Sequence, residues 1–457
     1  MRKQHSELPG PGWLIVLAPL VALIFYAPLA FGGTTPSSVE VIDSLLASSF
    51  VLWLGLLIFE KRRPRIPLTC LSSLVFLSIF GLAHALNPGS YFEPDSWRFI
   101  LLVENYRWLP GTVDTETTAP IIRHLGALSL AFLVLVDACA HSRTRWFLIY
   151  AVALAGLLIA GIGIYQRASG ADSMLWVTPD RSGKLFFGAF RYNANAAAFL
   201  NLSWPATLAI WLRSRALDPS GTRTSAEFCA LFLLFIAVFV NTSKAGQILG
   251  LIAALISVIW FWKLVRPKET SASAIAIMSA LFLSLFLIAL LPALNLITER
   301  WEATSQSLAG RMLVYEASSK ILPNSGWFGT GPGTFRLIFP FYTGYLGDRL
   351  SGTYTHTHQD YLQTLIEWGY LGFAGWLVLI GGGLWVGLTY AFRMKQKGRN
   401  DLTTSCSLIA LSTILLHALV DFPLQIPSVQ ILAAFYLAIC WSASQRDQRK
   451  VRLPKRQ

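Results

Sequence analysis

Apolar runs, most of them near the ~20 residues that a bilayer core requires, recur along this chain with short polar breaks between them. Candidate spans begin around Trp13, Ile42, Leu68, Leu125, Trp146, Asn195, Phe228, Gln247, Ala272, Tyr370, Thr403 and Ser428. The pattern predicts an all-α polytopic integral membrane protein, a single membrane domain over 1–457 with about twelve transmembrane helices. One interval breaks the rhythm. From Thr298 to Gly369, ~70 residues between two spans carry charged, Gly-rich and helically patterned pieces, more than a connector needs. This stretch reads as one large, partly helical loop.

Composition agrees: 54% of residues are apolar and only 13% charged. The net charge of +13 would suit a nucleic-acid binder, but the basic residues are scattered over short loops rather than gathered on one surface, so no nucleic-acid partner is expected. With the N-terminus inside, about two thirds of the 37 Lys and Arg residues fall in cytoplasmic segments and about two thirds of the 24 acidic residues fall outside. Both termini are therefore expected in the cytoplasm, the basic tail 446–457 included, with the 298–369 loop on the outer face. The N-terminal run resembles a signal peptide at its start but is too long for an h-region, and reads as an uncleaved anchor. Cys70, Cys139, Cys229, Cys406 and Cys440 lie in or at the edge of spans without CxxC spacing, which implies neither a disulfide nor a metal framework.

The outer face is where cations are expensive by the positive-inside tendency, so those present there are candidates for work. They include Arg167, Arg181, Lys184, Arg191, Lys244, Arg300, Arg311, Lys320, Arg336 and Arg349. Lys244 sits in a short NTSKAG turn between two apolar helices at headgroup depth; it either snorkels or meets an anionic ligand. AGRMLVYEASSKIL has helical spacing with Arg311 in its first turn, Arg311, Tyr315 and Ser319 on one face, and Glu316 and Lys320 as an i,i+4 pair. Arg311 either binds an anion or pairs with Glu299 or Glu302. In HTHQDYLQTLIEWG, His358 is expected at the start of a helix, on a face with Tyr361, Leu362 and Leu365. Its imidazole is a candidate general base, or a structural histidine. His356, His358 and Asp360 could hold a metal only if that piece were extended, which the helical pattern opposes; no metal or other cofactor is expected. Glu367 either orients the site or closes a helix-end salt bridge. His84, His124 and His417, within spans, are expected to be satisfied by neighbouring helices. GTGPGTF lacks the GK[ST] ending of a P-loop and reads as a tight turn, approaching either a neighbouring helix or phosphate and sugar oxygens.

These segments resemble the O-antigen ligase and polymerase (Wzy-C) superfamily of membrane glycosyltransferases. The match is carried by GRMLVYEASSKILPNSGWFGTGPGTF and HTHQDYLQTLIEWGYLG, which are similar to the family's Arg-led helix, Gly-rich turn and His-led helix. FRYNANAAAFLNLSWP and NTSKAG extend it to roughly residues 185–375. Lys244 stands where the family usually has Arg, keeping charge without the bidentate fork, and Gln359 replaces a common Asn. The resemblance implies metal-independent, inverting transfer of a glycan from undecaprenyl diphosphate to an acceptor hydroxyl, at the periplasmic face of a bacterial inner membrane. It implies His358 as general base, Lys244 and Arg311 on the diphosphate, and Arg191, Asn193, Asn195 and Glu367 as further donor or acceptor contacts. The acceptor would be lipid A core sugar for a ligase in lipopolysaccharide biosynthesis, the growing glycan for a polymerase, or a protein hydroxyl for an oligosaccharyltransferase. A ligase-like activity is favoured, a polymerase is the alternative, and a polysaccharide-lipid flippase is the reading from a different class. A flippase would need charges through the middle of its spans, where Asp137 is the main one.

Overall fold

The computed structural model describes residues 8–103, 105–179, 185–218, 221–265, 298–299, 301–302, 304–350 and 354–452. The span expected from Ala272, the cations Arg181, Lys184 and Arg300, and the end of the basic tail lie outside these residues. Among the described residues, twelve longer helices carry the fold: α1 (Pro11–Leu29), α2 (Pro36–Phe59), α3 (Leu68–Leu86), α4 (Thr115–Cys139), α5 (Ser142–Ala168), α6 (Asn193–Leu217), α7 (Thr222–Val240), α8 (Lys244–Trp260), α9 (Thr304–Ser325), α10 (Asp360–Gln396), α11 (Leu402–His417) and α12 (Pro427–Arg452). Among the described residues, strand is confined to short ribbons such as β1 (Ser90–Glu93) against β2 (Arg98–Leu101). The protein is an all-α polytopic membrane protein.

Among the described residues, eight helices are long and apolar enough to cross a membrane: α1 to α5, α7, α10 and α12. Outward-facing residues such as Ile58, Phe59, Leu68, Ile79 and Ile259 are mostly exposed, as lipid-facing positions should be. Helices α8 and α11 are shorter apolar helices, and α9 is not a span. The expected count of twelve is therefore not reached here.

Helix α6 explains itself by location. Its polar Asn201, Ser203, Thr207 and Ser214 lower its hydropathy, yet nearly every residue is buried against α5, α7, α8, α11 and α12. A helix shielded from lipid by protein needs less apolar surface, and small residues let neighbours approach. A Cβ at Gly246 of α8 would come within 2.4 Å of Ala197, and one at Gly156 of α5 within 2.4 Å of Ser203. Asn201 donates to the Gly246 carbonyl at 2.9 Å.

The two ends of the bundle differ. At one end Asp137 accepts from Trp53 Nε1 (2.8 Å) and pairs with Arg62 (2.9 Å), while Asp401 pairs with Arg446 (3.2 Å). At the other end, helix α10 is broken at Gly369, whose φ of +64° and ψ of −174° interrupt the ladder. The Gly-rich segment fills the break. Thr330 and Gly331 amides donate to the Ile366 and Glu367 carbonyls (both 3.0 Å), while the Leu371 amide donates to the Trp327 carbonyl (3.1 Å). The groups orphaned by the kink are thus satisfied, as burial demands. GTGPGTF is the helix-approaching alternative of the two foreseen. Gly329, Gly331 and Gly333 all have positive φ, and a Cβ at Gly331 would stand 2.1 Å from Thr112 Oγ1.

Candidate active site

Arg311 and His358 meet at a carboxylate that the sequence pattern did not single out. Asp421 lies in the turn after α11, where its amide donates to the His417 carbonyl at 3.0 Å. Its buried carboxylate accepts from Arg311 Nη2 (3.2 Å), from the Tyr192 hydroxyl (3.0 Å) and, at a longer 3.4 Å, from His358 Nδ1. Arg311 also donates through Nη1 to the Val420 carbonyl at 2.6 Å, and through Nη2 to the Tyr192 oxygen at 3.4 Å. The partner of Arg311 is therefore neither Glu299 nor Glu302. Burial alone would raise the Asp421 carboxyl, but the His358 hydrogen bond and the Arg311 charge outweigh it and hold the group below its ordinary value. The opposite balance acts on Arg311: burial lowers it, Asp421 and the neighbouring phenols overcome that, and the guanidinium is held above its ordinary value. Tyr192 is raised by burial and then by Asp421, so it stays a hydrogen-bond donor.

Two placements correct the sequence expectation. Arg311 is not in the first turn of its helix, because α9 begins at Thr304. His358 is not on a helix face with Tyr361, because α10 begins at Asp360 with Gln359 as its cap. His358 takes φ +55°, a left-handed conformation in which a non-glycine residue must be held. The hold is visible: Tyr315 donates to the His358 carbonyl at 2.9 Å, and Thr357 donates to the Gln359 carbonyl. Arg311 and Tyr315, on one face of α9 as expected, thus grip the cluster and the histidine backbone. Tyr354 and Phe422 pack edge-on to the imidazole at 5.9 and 5.1 Å.

Lys244 opens α8, in a turn whose Ser243 hydroxyl caps the Gly246 amide at 3.3 Å. That turn is docked on the start of α6: Asn193 Nδ2 donates to Thr242 Oγ1 at 3.0 Å. Asn193 directly follows Tyr192, so the Lys244 turn and the Asp421 cluster share one short segment of backbone. Asn195 is buried one helical step on, its amide bonded to the Tyr192 carbonyl at 3.1 Å. Arg191, directly before Tyr192, is exposed and lies 5.0 Å over the Phe31 ring.

Other candidates have partners within the fold. Glu367 is buried and closes no helix-end salt bridge among the described residues; its carboxylate accepts from the Phe335 amide (3.2 Å) and Gln363 (3.1 Å), fastening the Gly-rich segment. Lys320 sits over the Tyr345 ring at 3.0 Å. His356, His358 and Asp360 diverge, to Gln363, to Asp421 and to the Leu424 amide, and no three metal-ligating groups converge among the described residues. Stacked on Phe422, His356 is pushed down to about 4 by desolvation and stays neutral. His124 is satisfied by Asp43 (2.6 Å) and Gln430 (2.9 Å), and His84 Nδ1 by the Gly111 carbonyl (2.8 Å). The expectation fails for His417, whose buried ring has no hydrogen-bond partner among the described residues.

A carboxylate behind an imidazole, beside a guanidinium, is an arrangement able to accept a proton and steady an anion. Tyr192 and Asp421 could have been suspected only as polar residues at span ends. Residues 229–377 match the Wzy_C family model, O-antigen ligase, a stretch that holds Lys244, Arg311 and His358 but neither Tyr192 nor Asp421. No curated protein matches the chain. Over that stretch, about a third of the chain, the sequence is similar to the O-antigen ligase family.

Proposed function

We propose that the protein transfers a glycan from undecaprenyl diphosphate to an acceptor hydroxyl at the periplasmic face of a bacterial inner membrane, as an O-antigen ligase-like enzyme. The observation that carries this reading is the Arg311, Asp421, Tyr192 and His358 cluster at the end of the bundle that also bears the Lys244 turn. An ionised carboxylate only accepts hydrogen bonds, so His358 presents Nδ1–H to Asp421 and keeps the lone pair on Nε2. Nε2 takes the proton of the acceptor hydroxyl as its oxygen bonds to the anomeric carbon. The bond from that carbon to the diphosphate oxygen breaks with inversion. Asp421 steadies the imidazolium, and Lys244 and Arg311 receive the negative charge gathering on the leaving diphosphate.

Arg191, Asn193 and Asn195 would act at the donor end of the same segment, and Glu367 through the Gly-rich turn. The loop 298–369 is the periplasmic element of this scheme, and both termini are cytoplasmic. A ligase using a lipid A core acceptor is preferred to a polymerase extending a glycan. In cells making a lipid-linked glycan, His358→Ala should leave that glycan accumulating on the outer leaflet, read by an impermeant lectin. Accumulation on the inner leaflet would instead identify a flippase and end the transferase reading.

A further inference from the structure

Past the end of α3 the chain keeps an apolar face turned away from the protein. Along α3 itself the exposed side is a helical stripe of Val75, Ile79, Leu82 and Leu86, the pattern of a span that faces lipid. The 19 residues of α3 rise about 28 Å, close to the thickness of a hydrocarbon core, so Leu86 stands at its boundary.

The connection that follows is tied to this level. Buried Asn87 accepts through Oδ1 from the Tyr106 amide (2.9 Å), and its Nδ2 donates to the Tyr106 and Pro110 carbonyls (3.0 and 3.2 Å). The Leu102 amide donates to the Gly89 carbonyl at 3.0 Å. Two later pieces of the connection are thus pinned within three residues of the end of α3. What they display is apolar: Leu101 is 81% exposed, Val103 99% and Trp108 72%, with Leu102 and Tyr106 exposed beside them. Tyr106 and Trp108 pack edge to face at 6.1 Å, and Arg107 between them is exposed, with no ion pair among the described residues.

Water is a poor partner for such a surface. Apolar side chains on a hydrogen-bonded backbone, flanked by Trp, Tyr and Arg where hydrocarbon meets headgroups, have the composition of an interfacial anchor. Continuity with the lipid-facing stripe of α3 favours lipid over a protein partner.

We infer that Leu101, Leu102, Val103, Tyr106 and Trp108 dip into the membrane surface at the Gly-rich end of the bundle, with Arg107 against lipid phosphates. That leaflet is the outer one in the orientation proposed above, but the contact does not depend on which side this end faces. It reaches the candidate site through the backbone. The Thr112 amide donates to the Asn87 carbonyl (3.2 Å) and the Val113 amide to the Thr330 carbonyl (3.0 Å), so the anchor and the Gly-rich segment share one run of hydrogen bonds. The anchor thereby sets the height of that segment over the bilayer.

Nitroxide labels can read this depth on the full chain in nanodiscs of phosphatidylcholine and phosphatidylglycerol. In a Cys229→Ser background the labels sit at Val103→Cys, at Ile79→Cys on the lipid-facing stripe, and at Gly344→Cys in an exposed loop. Oxygen concentrates in hydrocarbon and a polar nickel chelate is excluded from it. The ratio of oxygen to nickel collisions at Val103 should exceed that at Gly344 about tenfold or more and approach that at Ile79. Arg107→Glu, an exposed substitution, should lower the Val103 ratio about fivefold, and Arg107→Lys should restore it. A Val103 ratio equal to that at Gly344 would overturn the inference and mark this surface as one for a protein partner. A ratio indifferent to Arg107→Glu would overturn the phosphate contact.

Discussion

At the scale of single residues, Asp421 organises its neighbours through one carboxylate that takes hydrogen bonds from three side chains. Asp421→Asn keeps the size but removes the charge that fixes the His358 tautomer and balances Arg311. Transfer should fall about 10²–10⁴-fold in kcat, the usual worth of a general base, with the KM for donor changing far less. Tyr192→Phe deletes only one of these hydrogen bonds, worth ~1 kcal/mol, and should cost about tenfold or less. Initial rates with both variants test this; equal losses would show that the cluster is held by packing rather than by charge. The acid side of stability follows the same group. Because the Asp421 carboxyl is held below its ordinary value, its contribution is complete above its unfolded value near ~3.9 and is lost as pH falls through the lowered one. The Asn variant should therefore lose less stability than the parent on acidification below pH ~4.

At the scale of elements, the Gly-rich segment and the break in α10 form one unit, since each supplies the hydrogen bonds that the other lacks. Gly331→Ala would combine left-handed strain with a Cβ 2.1 Å from Thr112 Oγ1, a position with no room to yield. A loss of about 2–4 kcal/mol is expected, read as a lower midpoint of thermal unfolding in detergent. Gly344→Ala, in open space at ordinary φ, should leave the midpoint unchanged. The helices were largely legible because lipid imposes a simple apolar code, one that still registered α6 through its alanines and leucines. The segments that build the site were legible as motifs, since Arg311 and Tyr315 share a helical face and GTGPGTF announces positive φ. What periodicity could not reveal was the meeting of Asp421 with residues more than 60 positions away. A lone aspartate in a short polar break carries no pattern, and its partners are chosen by how helices stack rather than by local spacing. The start of α10 was misplaced for a related reason: Thr357 and Tyr315 hold His358 in a left-handed turn that its helix-like sequence does not demand.

At the scale of the whole molecule, the distribution of charge separates anchoring from chemistry. The pairs Asp137 with Arg62 and Asp401 with Arg446 tie helices together at one end, and Lys395 reaches the Trp260 carbonyl there as well. The Asp421 cluster lies at the other end, where the turn after α11 meets the start of α6. Because Lys and Arg favour the cytoplasmic side, this polarity supports the proposed orientation, with the Asp421 cluster outside. Single cysteines in a Cys229→Ser background test the orientation directly, since Cys229 is the exposed natural thiol and the other four are buried. Gly344→Cys belongs to the loop between α9 and α10, and Arg399→Cys to the connection between α10 and α11. A membrane-impermeant maleimide applied to intact spheroplasts should modify the first and spare the second until the membrane is opened. The reverse pattern would turn the imidazole and its carboxylate toward the cytoplasm. There a polyprenyl diphosphate glycan already moved outward could not reach them, and the proposed transfer would fail on geometry alone.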